Sequence, residues 1–269
     1  MSLIVRFSEE VAHVEFNHGK ANEMGTEQLQ AFESLCDEIE AGRCRVLISY
    51  STRRSSKGTP IFVAGANVTE RVGWSRDKVA AHVRYQRQVL RRVRSLPVFH
   101  VAVINGVALG WGTEYALTAD YRIGCEESSY ALPETGLGIL PGAGGTAELW
   151  AQIGLPQALR LGMTGERISS SEAQRIGLIQ ECCSSVESGL KRANEMAQRV
   201  LRNSPTAVAA FKSAALAAVG APEAERVELE ARAYEHCLDT GEAALGREHF
   251  ANIRAGKSVP WGPLERFKS

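Results

Sequence analysis

The sequence has no surplus of either charge, no long apolar run and no paired cysteine motif. Basic and acidic residues each number 31, so nothing indicates the basic surface of a nucleic-acid-binding protein. No stretch approaches the roughly 18 apolar residues of a membrane span. The opening MSLIVRFSEE has no apolar h-region, so we expect neither a signal peptide nor a transit peptide. The cysteines are scattered, which predicts reduced thiols and a cytoplasmic location. They are Cys36, Cys44, Cys125, Cys182, Cys183 and Cys237.

Motifs for metal, nucleotide and serine-hydrolase chemistry are also missing. The six histidines share no metal-ligand spacing. No G-x-S-x-G elbow is present, and no G-x-G-x-x-G follows a strand in a βαβ context. We therefore expect no metal site and no metal or redox cofactor.

Apolar patterning in the first 170 residues alternates between strands and helices. Strands are predicted, from period-two or short apolar runs, at 3–7, 11–16, 45–50, 61–63, 98–104, 121–125 and 130–131. Helices are predicted, from helical spacing, at 25–40, 77–96, 110–118, 146–153 and 156–163.

The pattern from residue 170 onward is almost wholly helical. Helices are predicted at 171–175, 185–202, 205–219, 222–239 and 241–254. Mixed strands and helices followed by a run of helices predict an α/β fold with a helical C-terminal part. We expect a core of residues 1–200 that holds the active site. Residues 201–269 should form a helical region that packs on the core or on a neighbouring subunit.

Three glycine-rich segments each lie between an apolar strand and a probable helix. They read PIFVAGANVTE at 60–70, VINGVALGWGTEYALTADYRI at 103–123 and YALPETGLGILPGAGGT at 130–146. Such turns leave backbone N–H groups free at a helix start, where they can stabilise negative charge on an oxygen atom. Taken singly, each segment is an ordinary tight turn of an α/β fold.

Taken in order, the three segments resemble the enoyl-CoA hydratase/isomerase (crotonase) family. HGKANEM at 18–24 is similar to the family's N-terminal loop, and LPETGLGILPGAGGT is the most specific stretch. The resemblance runs over roughly residues 3–260. It implies a crotonase-like spiral of ββα repeats, a C-terminal helical region that trimerises, and an acyl-CoA thioester substrate. The expected assembly is a homotrimer or a dimer of trimers, with coenzyme A as part of the substrate.

The resemblance also assigns roles to single residues. It implies that the backbone N–H groups of Ala66 and Trp111 form the oxyanion hole. Glu114 would activate water, and Glu134 would protonate the α-carbon. The positions implied to contact the substrate through backbone are Ala64, at the adenine of coenzyme A, Gly65, Gly110 and Gly142.

Two carboxylates favour an enoyl-CoA hydratase, because other branches of the family commonly keep one. Taken alone, Glu114 is a first-turn helix glutamate and Glu134 an exposed turn residue. One alternative is another acyl-CoA reaction on the same scaffold, such as isomerisation, hydrolysis, decarboxylation or C–C cleavage. A second is a non-catalytic interaction or RNA-binding homologue, which the neutral charge and the two glutamates disfavour.

Three features depart from the resemblance or stay open. Trp111 stands where the family has the middle glycine of three, and its indole could narrow the acyl pocket, stack on the substrate or turn into the core. Asn67 replaces a common aspartate, and we expect it to cap the following helix. The helix at 77–96 is rich in arginine, which favours a solvated face over a site for the phosphates of coenzyme A.

Overall fold

The computed structural model describes residues 3–268. The chain begins with a hairpin of strands β1 (Leu3–Ser8) and β2 (Val11–Phe16), joined by Glu9 and Glu10, which both have positive φ. Such a two-residue turn matches the right-handed twist of the strands. Helix α1 (Thr26–Glu40) follows and buries the predicted apolar stripe.

Three further repeats place a strand, a second strand and then a helix in sequence. The first consists of β3 (Val46–Ser51), β4 (Ile61–Val63) and α2 (Arg76–Arg94). The second consists of β5 (Phe99–Ile104), β6 (Val107–Leu109) and α3 (Trp111–Ala116). The third consists of β7 (Tyr121–Cys125), β8 (Ser129–Ala131), a 3-10 turn at Pro133–Leu137 and α4 (Gly145–Ile153).

In these three repeats the first strand joins one sheet and the second strand joins another, whereas β1 and β2 both belong to the first of these sheets. The larger sheet has the order β1-β2-β3-β5-β7-β10, in which β10 is Glu181–Cys183 and every pairing except β1–β2 is parallel. The smaller sheet has the order β4-β6-β8-β9, in which β9 is Ile168–Ser169 and pairs antiparallel with β8. Successive repeats therefore stack side by side, as in the expected spiral of ββα units.

An aromatic cluster fills the interior beneath the second repeat. The ring of Phe16 meets those of Phe62 and Tyr115 edge-on, with centroids 5.1 and 5.0 Å apart. Phe32 lies 5.2 Å from Tyr115, and Trp111 lies 6.1 Å from Phe32. All five side chains are buried, so the start of α3 rests on a closely packed base.

Helices dominate the rest of the chain. They are α5 (Leu155–Thr164), α6 (Ser170–Arg175), α7 (Val186–Val200), α8 (Pro205–Ala218), α9 (Glu223–Asp239), α10 (Glu242–Glu248) and α11 (Phe250–Arg254). Helix α7 covers the larger sheet, and α8 packs on α9 through alanines. Lys212 of α8 forms an ion pair of 2.8 Å with Asp120, which ties this pair to the core. Among residues 3–268, no helix combines the length and apolarity that a bilayer crossing needs.

The structure corrects the predicted elements at four places. Strands β6, β9 and β10 have two or three residues each, too few to show a period in the sequence. The predicted helix at 241–254 is two helices, because His249 has φ −94° and ψ 15°, outside helical geometry.

Candidate active site

A cavity of about 230 Å³ lies where the second strands of the repeats end. All eight residues that the sequence pointed to line it: Ala64, Gly65, Ala66, Gly110, Trp111, Glu114, Glu134 and Gly142. A larger depression of about 750 Å³ lies along α2 and α8 and contains none of them. The structure therefore gathers residues from three repeats around one small cavity.

The backbone N–H groups of Ala66 and Trp111 are both placed to bind an acceptor. Met24 donates its N–H to the Gly65 carbonyl oxygen at 3.0 Å and accepts from the Asn67 N–H at 2.7 Å, so the Ala66 N–H points away from Met24. Trp111 is the first residue of α3, where N–H groups lack partners within the helix. Within residues 3–268, neither N–H donates a hydrogen bond.

Glu114 lies in the first turn of α3 and is only 4% exposed. Its Oε1 accepts hydrogen bonds from the backbone N–H groups of Ala143 at 2.7 Å and Gly145 at 2.9 Å. Burial raises the pKa of the Glu114 carboxyl, and the backbone donors partly oppose this. The side chain is therefore held in one orientation by donors that favour its charged form.

Glu134 belongs to the 3-10 turn after β8 and is partly exposed. Its buried Oε2 has no hydrogen-bond partner within the described chain. Burial is the main cause that raises the pKa of Glu134 to about 7, and the negative charge of Glu114 adds to it. At neutral pH this carboxyl can therefore carry a proton as well as release one.

Because Gly110 has no side chain, the carboxyl of Glu134 can lie directly beside its Cα atom. A Cβ atom added to Gly110 would lie 2.4 Å from Glu134 Oε1, and the residue has φ +49°, which disfavours other side chains. Position 110 therefore requires glycine both for its backbone and for its neighbour.

The side chain of Trp111 turns into the core. It is 2% exposed, and its ring stacks on that of Tyr115 with a centroid distance of 5.6 Å. Among described non-glycine residues, positive φ occurs only at Glu9, Glu10 and Asn22, so Trp111 needs no glycine-like backbone. Of the three orientations considered from the sequence, the structure adopts the one in which the indole turns into the core.

Two other cavity residues have backbone contacts. The Ala64 N–H donates to the Ala21 carbonyl oxygen at 3.0 Å, which joins the N-terminal loop to the end of β4. The carbonyl oxygen of Gly142 accepts from Arg87 Nε at 2.9 Å. A Cβ atom at Gly142 would lie 2.7 Å from Val83, so α2 packs closely against this loop.

Only some of the α2 arginines lie on the solvated helix face that we expected. Arg84, Arg87 and Arg91 are exposed, whereas Arg92 pairs with Glu40 of α1 at 2.9 Å and Arg94 pairs with Glu148 of α4. The ion pairs of Arg92 and Arg94 therefore join α2 to α1 and to α4.

Asn67 Oδ1 accepts hydrogen bonds from the N–H groups of Thr69 and Glu70 at the start of the 3-10 turn Thr69–Arg71, although the N-cap residue of that turn is Val68. Arg71 and Gln86 also line the cavity, and no motif in the sequence pointed to them. Gln86 shares the buried stripe of α2 with His82 and Val89, so a polar residue on an apolar stripe was the available signal.

Comparison with known proteins identifies the family. Residues 7–257 match the family model described as Enoyl-CoA hydratase/isomerase. The chain belongs to this family. A relative, "Putative enoyl-CoA hydratase/isomerase YngF" of Bacillus subtilis, is 33% identical over 92% of this chain and 94% of its own length. The short-chain-enoyl-CoA hydratase of Clostridium acetobutylicum is 31% identical over 89% and 90%.

Solved structures agree with the fold of this enoyl-CoA hydratase/isomerase family member. The crystal structure of an enoyl-CoA hydratase from Bacillus anthracis superimposes with a TM-score of 0.88 and 31% identity, over 97% of this chain and 99% of that one. An enoyl-CoA hydratase from Geobacillus kaustophilus gives 0.87 over 97% and 96%, at 24% identity. The crotonase-like α/β spiral predicted from the sequence is confirmed.

Proposed function

We propose that this chain hydrates 2-enoyl-CoA thioesters to 3-hydroxyacyl-CoA. The observation that carries the proposal is that Glu114 and Glu134 line the same cavity as the N–H groups of Ala66 and Trp111. Two carboxyl groups with different surroundings suit a reaction that removes one proton and delivers another. Two unpartnered backbone donors suit a reaction that builds charge on an oxygen atom.

The chemistry assigns one role to each group. Glu114, oriented by two N–H donors and in its carboxylate form, takes a proton from water while the water oxygen bonds to C3. The electrons of the C2–C3 double bond move toward the thioester oxygen, which the Ala66 and Trp111 N–H groups stabilise. Glu134 gives its proton to C2, and the double bond of the thioester carbonyl re-forms. A proton passed from Glu114 back to Glu134, directly or through solvent, restores the starting state.

Isomerisation is the second candidate, and the pKa of Glu134 near 7 favours it. A 3-enoyl-CoA needs one group that removes a proton at C2 and returns one at C4. Glu134 alone can do both when its pKa lies close to neutrality. The two reactions differ in their products, since only hydration gives a 3-hydroxyacyl thioester.

The test is product analysis with but-2-enoyl-CoA and hex-3-enoyl-CoA for wild type, Glu114→Gln and Glu134→Gln. Positioned acid–base groups contribute typically about 10²–10⁴-fold, so we expect each variant to lose hydration by that factor while remaining folded. Glu127→Gln, an exposed glutamate in the loop between β7 and β8, is the control. Near-full hydration by either active-site variant would refute the two-carboxylate mechanism. Loss in Glu134→Gln alone would favour the isomerase.

We also propose that the chain assembles as a homotrimer or a dimer of trimers. Large apolar side chains of the C-terminal helices are exposed in the single chain, including Phe211, Val227, Tyr234 and Phe250. A surface of this kind is typical of a protein interface.

A cytoplasmic location is proposed as well, which the free state of all six cysteines supports.

A further inference from the structure

Three side chains that line the active-site cavity have buried donor atoms without a partner in the described chain, and one of these, Trp111 with its Nε1, is stacked in the core on Tyr115. Arg71 has buried Nε and Nη2 atoms without a partner, and Gln86, which is 3% exposed, has a buried Nε2 without one. Both residues line the cavity that holds Glu114 and Glu134. Buried donors in native proteins are nearly always paired, so a pair of unpaired side chains at one cavity indicates that a ligand supplies the acceptor.

The charge of Arg71 is not neutralised by a direct contact. Glu70 is its acidic neighbour, but Glu70 Oε2 accepts from the Thr26 N–H at 3.1 Å and Oε1 faces His82 Nε2 at 3.3 Å. No carboxylate of residues 3–268 lies within 4 Å of the Arg71 guanidinium. A guanidinium keeps its charge when it is buried, so a buried guanidinium without an anionic partner is energetically unfavourable.

Apart from these donors and the carboxyls of Glu114 and Glu134, the wall of the cavity is largely apolar. The large apolar side chains that line it include Val68, Val83, Leu109, Leu137, Ile139 and Leu140. A plain alkyl chain would satisfy these residues but would leave the guanidinium desolvated and unpaired. An acyl chain that ends in a carboxylate would satisfy both, because a guanidinium binds a carboxylate through two parallel hydrogen bonds.

Resting on the hydratase function proposed above, we propose that the natural acyl group carries a second carboxylate, which is bound by Arg71 with the help of the Gln86 amide. The substrate class is thus the coenzyme A monothioester of an unsaturated dicarboxylic acid. Such a tail also places its negative charge against the Arg71 guanidinium.

The test compares 4-carboxybut-2-enoyl-CoA with pent-2-enoyl-CoA, in which a methyl group replaces the carboxylate. Wild type should show a higher kcat/KM for the carboxylated substrate. Arg71→Met should lower the ratio of the two kcat/KM values by about 10–100-fold, the range for a hydrogen bond to a charged group. Arg71→Lys, which keeps the charge but not the two-pronged geometry, should lower the ratio less. The control is Arg76→Met, whose side chain is 90% exposed at the start of α2 and which should leave the ratio unchanged.

A binding measurement separates this inference from the proposed reaction. Calorimetry with the saturated 4-carboxybutanoyl-CoA and pentanoyl-CoA needs no turnover, and wild type should bind the first more tightly. If that preference is found but no hydration occurs, the substrate class stands and the hydratase proposal fails. If wild type hydrates pent-2-enoyl-CoA at least as well and shows no binding preference, the inference fails alone. An equal loss for both ligands in Arg71→Met would place Arg71 at the coenzyme A part and overturn it.

Discussion

Replacing Glu134 by glutamine should stabilise the protein at high pH while it removes activity. The pKa of the carboxyl is raised from 4.5 to about 7 in the folded chain, mainly by burial. The folded state therefore holds the proton more tightly than the unfolded state does. The contribution of Glu134 to wild-type stability should fall as pH rises from about 4.5 through 7 and stay level above that. Glutamine resembles the protonated acid at every pH and avoids this loss.

The size of the effect follows from the same values. Each tenfold change in acid strength corresponds to ~1.4 kcal/mol, which sets an upper limit of about 3 kcal/mol above pH 7. Glu134 is partly exposed, and solvent screening reduces this to about 1–2 kcal/mol. Urea unfolding at pH 5, 6, 7 and 8 measures the difference in free energy between variant and wild type.

The difference between Glu134→Gln and wild type should be small near pH 5 and largest at pH 8. Glu127→Gln should change stability by less than about 0.5 kcal/mol at every pH, because the residue is exposed. A variant no more stable than wild type at pH 8, or a gain of equal size at pH 5 and 8, would refute the view that burial destabilises this carboxylate.

Three further changes test other parts of the site. Gly110→Ala should lower kcat by about 10²-fold, because its Cβ displaces Glu134; steady-state kinetics would contradict this if kcat were unchanged. Trp111→Gly should lower the free energy of unfolding by about 3–5 kcal/mol through loss of a buried ring, with little change in acyl preference; denaturant titration and kinetics on enoyl-CoAs of several lengths check both parts. Sedimentation at micromolar concentration should show a trimer or larger, and a monomer would count against the proposed assembly.

Many helices and strands could be predicted from the sequence, because apolar residues in the longer elements repeat at helical or strand spacing. Helix α1 and the hairpin were placed within a residue or two, since Leu29, Phe32 and Cys36 repeat at helical spacing. Strands β6 and β9 depend instead on pairing with β8, which no local pattern encodes. Their existence follows from tertiary context.

The candidate site was predictable to the extent that it consists of backbone groups in short motifs. Eight motif positions do meet at one cavity, although their roles stay a prediction. The orientation of Trp111 could not be predicted, because the space that its ring fills beside Tyr115 also depends on Phe32 of α1, which is distant in sequence. Arg71 and Gln86 lie outside the motifs: Arg71 ends a 3-10 turn at Thr69–Arg71, directly after the first motif, and Gln86 reaches the cavity from α2.

The division of the site among successive repeats has a consequence for folding. The loop after β4 supplies Ala66, the first turn of α3 supplies Trp111 and Glu114, and the turn after β8 supplies Glu134. No single repeat contains a working set, and the contacts that join the repeats span long stretches of chain. In a refolding experiment, catalytic activity should therefore return only after three neighbouring repeats have docked, whereas helix content measured by circular dichroism can recover earlier. The rate at which enzyme activity returns therefore measures the rate at which the last of these repeats docks.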